Sequence, residues 1–158
     1  MITARAAPTS FPWPPVIYLA AVVAAIVLNM WIPLPWIGDP LSDMLVMTGW
    51  VLVVAVVAID ASAMRTLWKA KTTIMPNRPS DHLVTSGPFS FTRNPIYLAN
   101  TMLVIGIGLI SEIVWFLPLA LIAAFITRKL AIEPEERHLE QHFGKKYRDY
   151  AKRVRRWI

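Results

Sequence analysis

Cysteine is absent from the 158-residue chain. Its absence excludes a disulfide framework, a thiolate nucleophile and a cysteine-ligated metal centre. The chain also has no glycine-rich run that could cradle phosphates and no recognisable Ser-His-Asp arrangement. The sequence therefore points away from several familiar kinds of active site.

Apolar residues are abundant instead. They make up 56% of the chain, and the mean hydropathy is +0.48. That share exceeds the roughly 45–50% found in soluble domains, and the apolar residues are clustered in long runs, as in membrane proteins. The length suits one domain over residues 1–158. We therefore predict an all-α integral membrane protein.

Four apolar segments are candidates for membrane-spanning helices. A span needs roughly 20 apolar residues at a rise of about 1.5 Å each. The segments are 15–34, 44–64, 95–110 and 113–132. Because only Ser111 and Glu112 separate the last two, we expect these to form a tight antiparallel hairpin.

Basic residues are distributed unevenly between these segments. Ten of the 16 Lys and Arg residues lie between Arg128 and the end of the chain, and five lie between Arg65 and Arg93. The connector 35–43 contains none. The positive-inside rule therefore predicts that both termini and the segment 65–93 are cytoplasmic, as four spans would allow.

The C-terminal residues 133–157 predict an amphipathic helix. Its apolar side chains recur at spacings of three and four, opposite Lys and Arg. They are Leu139, Phe143, Tyr147, Tyr150, Val154 and Trp157. We expect this helix to lie on the anionic cytoplasmic leaflet or to dock on the helix bundle, with a kink or break at Gly144. Because its aromatic residues form the apolar stripe rather than stacking platforms, nucleic-acid binding is not indicated.

The segment GPFSFTRNPIY, residues 87–97, interrupts the apolar runs. Asn is a favoured N-cap residue and Pro is favoured at the first helical position, so Asn94-Pro95 predicts the start of the third span. That interpretation leaves Phe89, Arg93 and Tyr97 without a specific role.

Glu135 lies on the apolar stripe of the predicted C-terminal helix, four residues before Leu139. Acidic residues are common in a first helical turn because they complement the helix dipole. A carboxylate on a stripe that faces inward is nevertheless costly unless it is paired. Its partner could be a basic side chain or a cationic ligand.

Two other polar features admit both a structural and a functional interpretation. Asp60 lies within the second span, where an ionisable group is a functional candidate, although water at the nearby interface explains it equally well. His138 and His142 share a helix face and could hold a metal. They lack the Glu that follows the first His in metalloproteases, so we expect a solvated face and no metal site.

Two stretches together resemble a known superfamily. They are DHLVTSGPFSFTRNPIY at 81–97 and EERHLEQHFGKKYRDYAKRV at 135–154. Flanking a helical hairpin, they are similar to the patterns LVTSGPY…RHPxY and EExxLxxxFGxxYxxYxxxV. These patterns are typical of the integral-membrane isoprenylcysteine carboxyl methyltransferase and phospholipid methyltransferase superfamily.

The resemblance implies S-adenosylmethionine as methyl donor, S-adenosylhomocysteine as product and a lipophilic or prenylated acceptor that enters from the bilayer. It implies that Glu135 pairs with the amino group of the donor's methionine part. Arg93 and Arg128 become candidate catalytic residues that contact an anionic group of donor or acceptor. The positions that match cofactor contacts of the family are Asp81, His82, Leu83, Val84, Phe89, Asn94, Pro95, Ile96, Tyr97 and Glu135.

Two departures from the family pattern bear on the acceptor. Asn94 stands where the family has His, so no proton-transfer role carries over to that position. Ala131 stands where the prenylcysteine enzymes have an arginine that helps to hold the substrate carboxylate. The second departure argues against a prenylcysteine substrate. The resemblance as a whole nevertheless implies activity like that of an isoprenylcysteine carboxyl O-methyltransferase. Phospholipid amine N-methylation is the alternative within the superfamily, and a membrane scaffold that binds anionic lipid is the alternative outside enzymes.

Overall fold

The structure, a computed structural model, describes residues 13–70 and 83–158, and all regular elements within these ranges are helical. A 3-10 turn, Gly87–Ser90, precedes the third α-helix, and a π-helical turn, Arg128–Ile132, joins the fourth to the fifth. The α-helices are α1 (Trp13–Trp31), α2 (Leu41–Lys69), α3 (Pro95–Ser111), α4 (Phe116–Thr127), α5 (Glu133–Phe143) and α6 (Lys145–Arg153). The predicted all-α class is confirmed for the described residues.

Two helices are long and apolar enough to cross a bilayer. They are α1, with a mean hydropathy of 1.9 over Pro14–Trp31, and α2, with a value of 2.3. Only 17% and 11% of the residues in these apolar windows are buried in the protein. Large apolar side chains such as Met47, Val51 and Val54 point outward along α2. Outward apolar faces of this kind are typical of helices that lie in lipid.

The two remaining predicted spans form shorter helices. α3 has 17 residues, and α4 has 12 before it continues into the five-residue π-helical turn. At about 1.5 Å per residue, 17 residues extend about 25 Å, less than the roughly 30 Å of a hydrocarbon core. The four-span arrangement therefore stays a prediction. Their tight connection is confirmed, because α3 ends at Ser111 and α4 begins at Phe116.

α2 packs closely against α3 through small residues. A Cβ atom placed on Gly49 would lie 2.8 Å from the carbonyl oxygen of Gly106, and a Cβ on Gly106 would lie 3.1 Å from that of Gly49. Such approach of two backbones is a usual packing mode of membrane helices. The buried residues of α2 recur every seven positions. They are Ser42, Gly49, Val56 and Ala63.

The other side of α3 packs on α1 and α4. The buried residues of this core come from all three helices, and five of the seven are alanine or valine. They are Tyr18, Ala21, Ala25, Val104, Phe116, Ala120 and Ala123. Tyr18 of this core also contacts the first turn of α3, which matters for the site described below.

The predicted break at Gly144 is confirmed and divides the C-terminal region into two helices, and the second ends before the predicted residue 157. The first helix ends at Phe143, and Gly144 adopts φ 54° and ψ −120°, a conformation that favours glycine and breaks the helix. α6 then ends at Arg153, and Thr92 pairs with Arg155 in a parallel bridge. The predicted apolar stripe is confirmed as a protein contact, because Tyr147, Tyr150 and Val154 are buried and pack with Leu139, Phe143 and Leu83.

Candidate functional site

The segment that leads into α3 is held by the end of the chain. The backbone N–H of Arg93 donates to the carbonyl of Arg155 at 3.0 Å, and the Thr92 hydroxyl donates to the carbonyl of Arg156 at 3.1 Å. We call residues 154–157 the C-terminal strap. Since its backbone satisfies polar groups on 92–94, the strap fixes the conformation of the residues that precede α3.

Asn94 and Pro95 begin α3 at the predicted place, but the side chain of Asn94 does not cap the helix. α3 starts at Pro95 and Asn94 occupies the N-cap position without a side-chain capping bond. Its amide nitrogen donates instead to the carbonyl of Arg156 at 2.9 Å, and the residue is buried. The Arg156 carbonyl, which also accepts from the Thr92 hydroxyl, orients this side chain toward the strap. Asn94 therefore joins α3 to the strap.

Tyr97 and Glu135, predicted from two separate stretches, are brought together. The Tyr97 hydroxyl donates to Oε2 of Glu135 at 3.2 Å, across 38 positions of sequence. The first turn of α3 places Tyr97, and the first turn of α5 places Glu135. The hairpin α3–α4 therefore closes the two stretches onto one contact.

Tyr18 of α1 fixes the backbone beside this contact. Its hydroxyl lies 2.6 Å from Oγ1 of Thr101 and donates to the carbonyl of Tyr97 at 3.3 Å. Thr101 donates to the same carbonyl at 3.0 Å. Because Tyr18 is buried in the core, these bonds hold the first turn of α3 in a single position.

Glu135 is an acidic group with access to solvent. Its side chain makes no ion pair with any residue in the described ranges, and the residue is exposed. Protein packed around the other sides of the carboxyl desolvates it and raises its pKa. The charge of Glu136 acts in the same direction, while the hydrogen bond from Tyr97 acts in the opposite one. A cation that reached Glu135 would find a carboxyl group that Tyr97 holds in place and that has no ion-pair partner among the described residues.

Arg93 and Arg128 each contact a different glutamate of α5. Arg93 lies 3.4 Å from Glu136 and donates to the Tyr147 hydroxyl at 3.1 Å. Arg128 donates to Glu133 at 3.0 Å from the π-helical turn. Glu133 also accepts from Lys129, and this bond, with that of Arg128, lowers the pKa of Glu133. Both predicted arginines therefore surround the start of α5, although neither is bonded to Glu135.

The remaining predicted residues lie around the segment that precedes α3. Phe89 lies in the 3-10 turn, and its carbonyl accepts from the Tyr150 hydroxyl at 2.6 Å. Pro95 is fully buried, and Ile96 is partly buried in the same turn of α3. Leu83 packs on α6, with Val84 beside it in sequence. Asp81 and His82 lie outside the described residues.

One polar pair is absent from the sequence predictions. Arg156 of the strap makes two hydrogen bonds to Glu136, at 2.9 and 2.6 Å. These bonds to Glu136 raise the pKa of Arg156. Glu136 lies on the side of α5 that bears Glu140, and a strap that returns to that side has no signal in the helical periodicity.

The two histidines of α5 share one face of the helix, as the sequence predicts. Their rings stack at 6.3 Å between centroids, and no group of three or more potential metal ligands occurs in the part of the chain that the structure describes. Asp60 is half-buried in α2, and its Oδ1 has no hydrogen-bond partner among the residues described. No hydrogen bond among the described residues joins either feature to Tyr97 or Glu135.

Comparison with known protein families places most of the chain in a described family. Residues 44–146 match the family model described as phospholipid methyltransferase. The matched region contains α2 to α5, and with them Tyr97 and Glu135. It excludes Tyr18 and the strap.

Two curated relatives are similar over part of their length. One is a nickel-cobalt-cadmium resistance protein of Alcaligenes xylosoxydans xylosoxydans, 28% identical over 65% of this chain and 47% of the relative. The other is a cobalt-zinc-cadmium resistance protein of Cupriavidus metallidurans, 27% identical over 75% of this chain and 51% of the relative. The chain thus spans about half the length of these relatives. No solved structure matches the chain significantly.

Proposed function

We propose, because this chain belongs to the phospholipid methyltransferase family, that it transfers a methyl group from S-adenosylmethionine to a lipophilic acceptor. Membership of the family indicates methyltransferase activity at a membrane. The observation that carries the rest of the proposal is the hydrogen bond from Tyr97 to Glu135. It joins the two stretches of sequence that resemble the methyltransferase pattern.

The chemistry of Glu135 fits the methyl donor. The methionine part of S-adenosylmethionine carries a cationic amino group, and Glu135 is a solvent-accessible carboxylate with no cationic partner among the described residues. A charge-assisted hydrogen bond of this kind contributes about 1.5–3 kcal/mol. Tyr97 holds the carboxylate, and Tyr18 holds Tyr97. When bound, the donor supplies a methyl group on a positively charged sulfur, and S-adenosylhomocysteine is the product.

The chain's own contribution to the reaction is chiefly positioning. Orientation of two reactants can supply a large part of a barrier reduction, and the residues around Tyr97 are held by hydrogen bonds from α1 and from the strap. Leu83, Val84, Phe89 and Ile96 would line the remainder of the donor site, beside Asn94 and Pro95. Arg93 and Arg128 would contact an anionic group while sharing their charge with Glu136 and Glu133.

Two classes of methyl acceptor are candidates. A carboxylate acceptor, as in isoprenylcysteine carboxyl O-methylation, is ionised at neutral pH and needs no base. An amine acceptor, as in phospholipid N-methylation, must lose a proton along the reaction path. Ala131, in the π-helical turn, supplies no guanidinium to hold a carboxylate acceptor. For this reason we keep the amine as the second candidate acceptor.

Transfer of a labelled methyl group tests the proposal. The purified protein is incubated with methyl-labelled S-adenosylmethionine and either a prenylated cysteine derivative or phosphatidylethanolamine vesicles. We expect one acceptor to become labelled. A methyl ester releases its label as methanol in mild base, whereas an N-methyl group retains it, so base treatment identifies the bond formed.

The matched variants are Glu135→Gln and Glu140→Gln, which change the same kind of side chain on the same helix. We expect the first to lose most of the transfer and the second to keep it. No transfer by the wild-type protein to either acceptor or to a total lipid extract would contradict the proposal. Equal transfer by wild type and Glu135→Gln would contradict the role of Glu135.

A further inference from the structure

An open groove of about 490 Å³ lies between α5 and α6. We call it the α5–α6 groove. Most of its lining side chains are charged, and they come from both helices, the strap and the segment before α3. They are Arg93, Glu133, Glu136, Arg137, Glu140, Tyr147, Arg148, Ala151, Lys152 and Arg156.

The groove lies on a different face of α5 from the Tyr97–Glu135 contact. Glu133, Glu136, Arg137 and Glu140 follow one another at helical spacing and all line the groove. At 100° per residue, Glu135 points roughly 150° away from the centre of that row. The groove and the Tyr97–Glu135 contact are therefore separate, although Arg93, which lines the groove, is also a candidate contact of the methyl-donor site.

The groove carries an excess of positive charge. Its lining has five cationic side chains and three carboxylates, an excess of two positive charges. The carboxylates of Glu133 and Glu136 pair with Arg93 and Arg156, which are largely buried. Arg148 lies 3.7 Å from Glu140. Arg137 of α5 and Lys152 of α6 are exposed and make no ion pair within residues 13–70 and 83–158.

We propose that the α5–α6 groove binds a phosphate-bearing anion. Arg137 and Lys152 reach it from the two helices, and Arg148, whose pairing is long, provides a third cation. A guanidinium presents a planar fork of donors that matches phosphate oxygens. The excess of two charges matches a phosphate dianion, either free or as the phosphomonoester headgroup of a lipid. This binding is a function beyond methyl transfer, and it does not depend on the donor site.

The phosphate has two possible sources, a lipid headgroup and a free phosphate. The test measures binding of dihexanoyl phosphatidic acid and of inorganic phosphate to the detergent-solubilised chain by calorimetry, at about 0.15 M ionic strength, where diffuse attraction is screened. Dihexanoyl phosphatidylcholine, which has no net charge, is the control ligand. Arg137→Ala with Lys152→Ala removes the two unpaired cations. The control variant is Lys145→Ala with Lys146→Ala, which removes two exposed cations of α6 that do not line the groove.

We expect saturable binding that weakens at least about tenfold in Arg137→Ala/Lys152→Ala and less than about twofold in Lys145→Ala/Lys146→Ala. Tighter binding of phosphatidic acid than of phosphate supports the groove as a lipid headgroup site. Equal affinity for the two supports a free phosphate. Absence of saturable binding of both ligands would overturn the proposal, as would an equal loss in the two double variants. Binding of S-adenosylhomocysteine should be unchanged in both, which separates this result from a failure of the donor site.

Discussion

Replacing Glu136 by glutamine tests how the start of α5 is fixed to the end of the chain. Glu136 is 15% exposed and accepts two hydrogen bonds from Arg156, which is 26% exposed. It also lies 3.4 Å from Arg93, which is 14% exposed. The substitution keeps the size of the side chain and removes the only carboxylate that contacts both arginines among the described residues.

The expected loss of stability follows from what is left unpaired. Removing one partner of a fully buried ion pair costs about 3–5 kcal/mol, and exposed pairs contribute about 0–1 kcal/mol. Since these three groups are mostly but not fully buried, we expect a loss of about 2 kcal/mol. For a chain of this length that corresponds to a decrease in Tm of about 4–8 °C.

Thermal unfolding in detergent, followed by tryptophan fluorescence, measures this decrease. The control is Glu140→Gln, because Glu140 is 49% exposed and its arginine lies at 3.7 Å. We expect Glu140→Gln to change Tm by less than about 1–2 °C. If Glu136→Gln lowers Tm no more than Glu140→Gln, the contact between the strap and α5 does not stabilise the protein as argued.

Two further predictions concern pH and helix packing. The pKa of Glu135 is raised, so its charge is lost at a higher pH than that of an ordinary carboxyl. The affinity for S-adenosylhomocysteine, measured by calorimetry, should therefore fall as pH decreases through that pKa. Glu135→Gln should show no such pH dependence. The stability of the ligand-free protein should depend on pH in the opposite direction. The stability contributed by a raised pKa is present at low pH and is lost as pH rises through the pKa of the folded state. Gly49→Ala should lower the free energy of unfolding by about 1–3 kcal/mol, since its Cβ would lie 2.8 Å from the carbonyl oxygen of Gly106. The control Gly38→Ala, whose Cβ would have nothing within 4 Å, should lower it little. Equal Tm values for the two variants would contradict the close packing of α2 on α3.

The helices and the central contact of the site follow from local sequence signals. Apolar runs predict α1 and α2, Asn94-Pro95 predicts the first residue of α3, and the two motif stretches predict that Tyr97 and Glu135 belong together. Each of these signals lies within a short stretch, and the short hairpin α3–α4 then brings the stretches into contact.

The features that sequence did not predict depend on distant parts of the chain. The strap pairs with Thr92 and Arg93 across about 62 residues, and this pairing draws the Asn94 side chain away from the helix N-terminus. Tyr18 lies in an apolar run whose periodicity gives no sign that its hydroxyl meets Thr101 and Tyr97. Gly144 is recognisable in the sequence as a helix break, but the residue type alone does not set its dihedral angles. The path by which the chain returns to α3 could therefore not be predicted from it.

The central claim is that Glu135 holds the amino group of the methyl donor. The most direct measurement compares the affinities of S-adenosylhomocysteine and of its analogue without the amino group, for the wild-type protein and for Glu135→Gln. A charge-assisted bond of about 1.5–3 kcal/mol predicts that the wild type binds S-adenosylhomocysteine about 10- to 100-fold more tightly than the analogue. Glu135→Gln should bind the two ligands about equally. Equal discrimination by both proteins would contradict the claim.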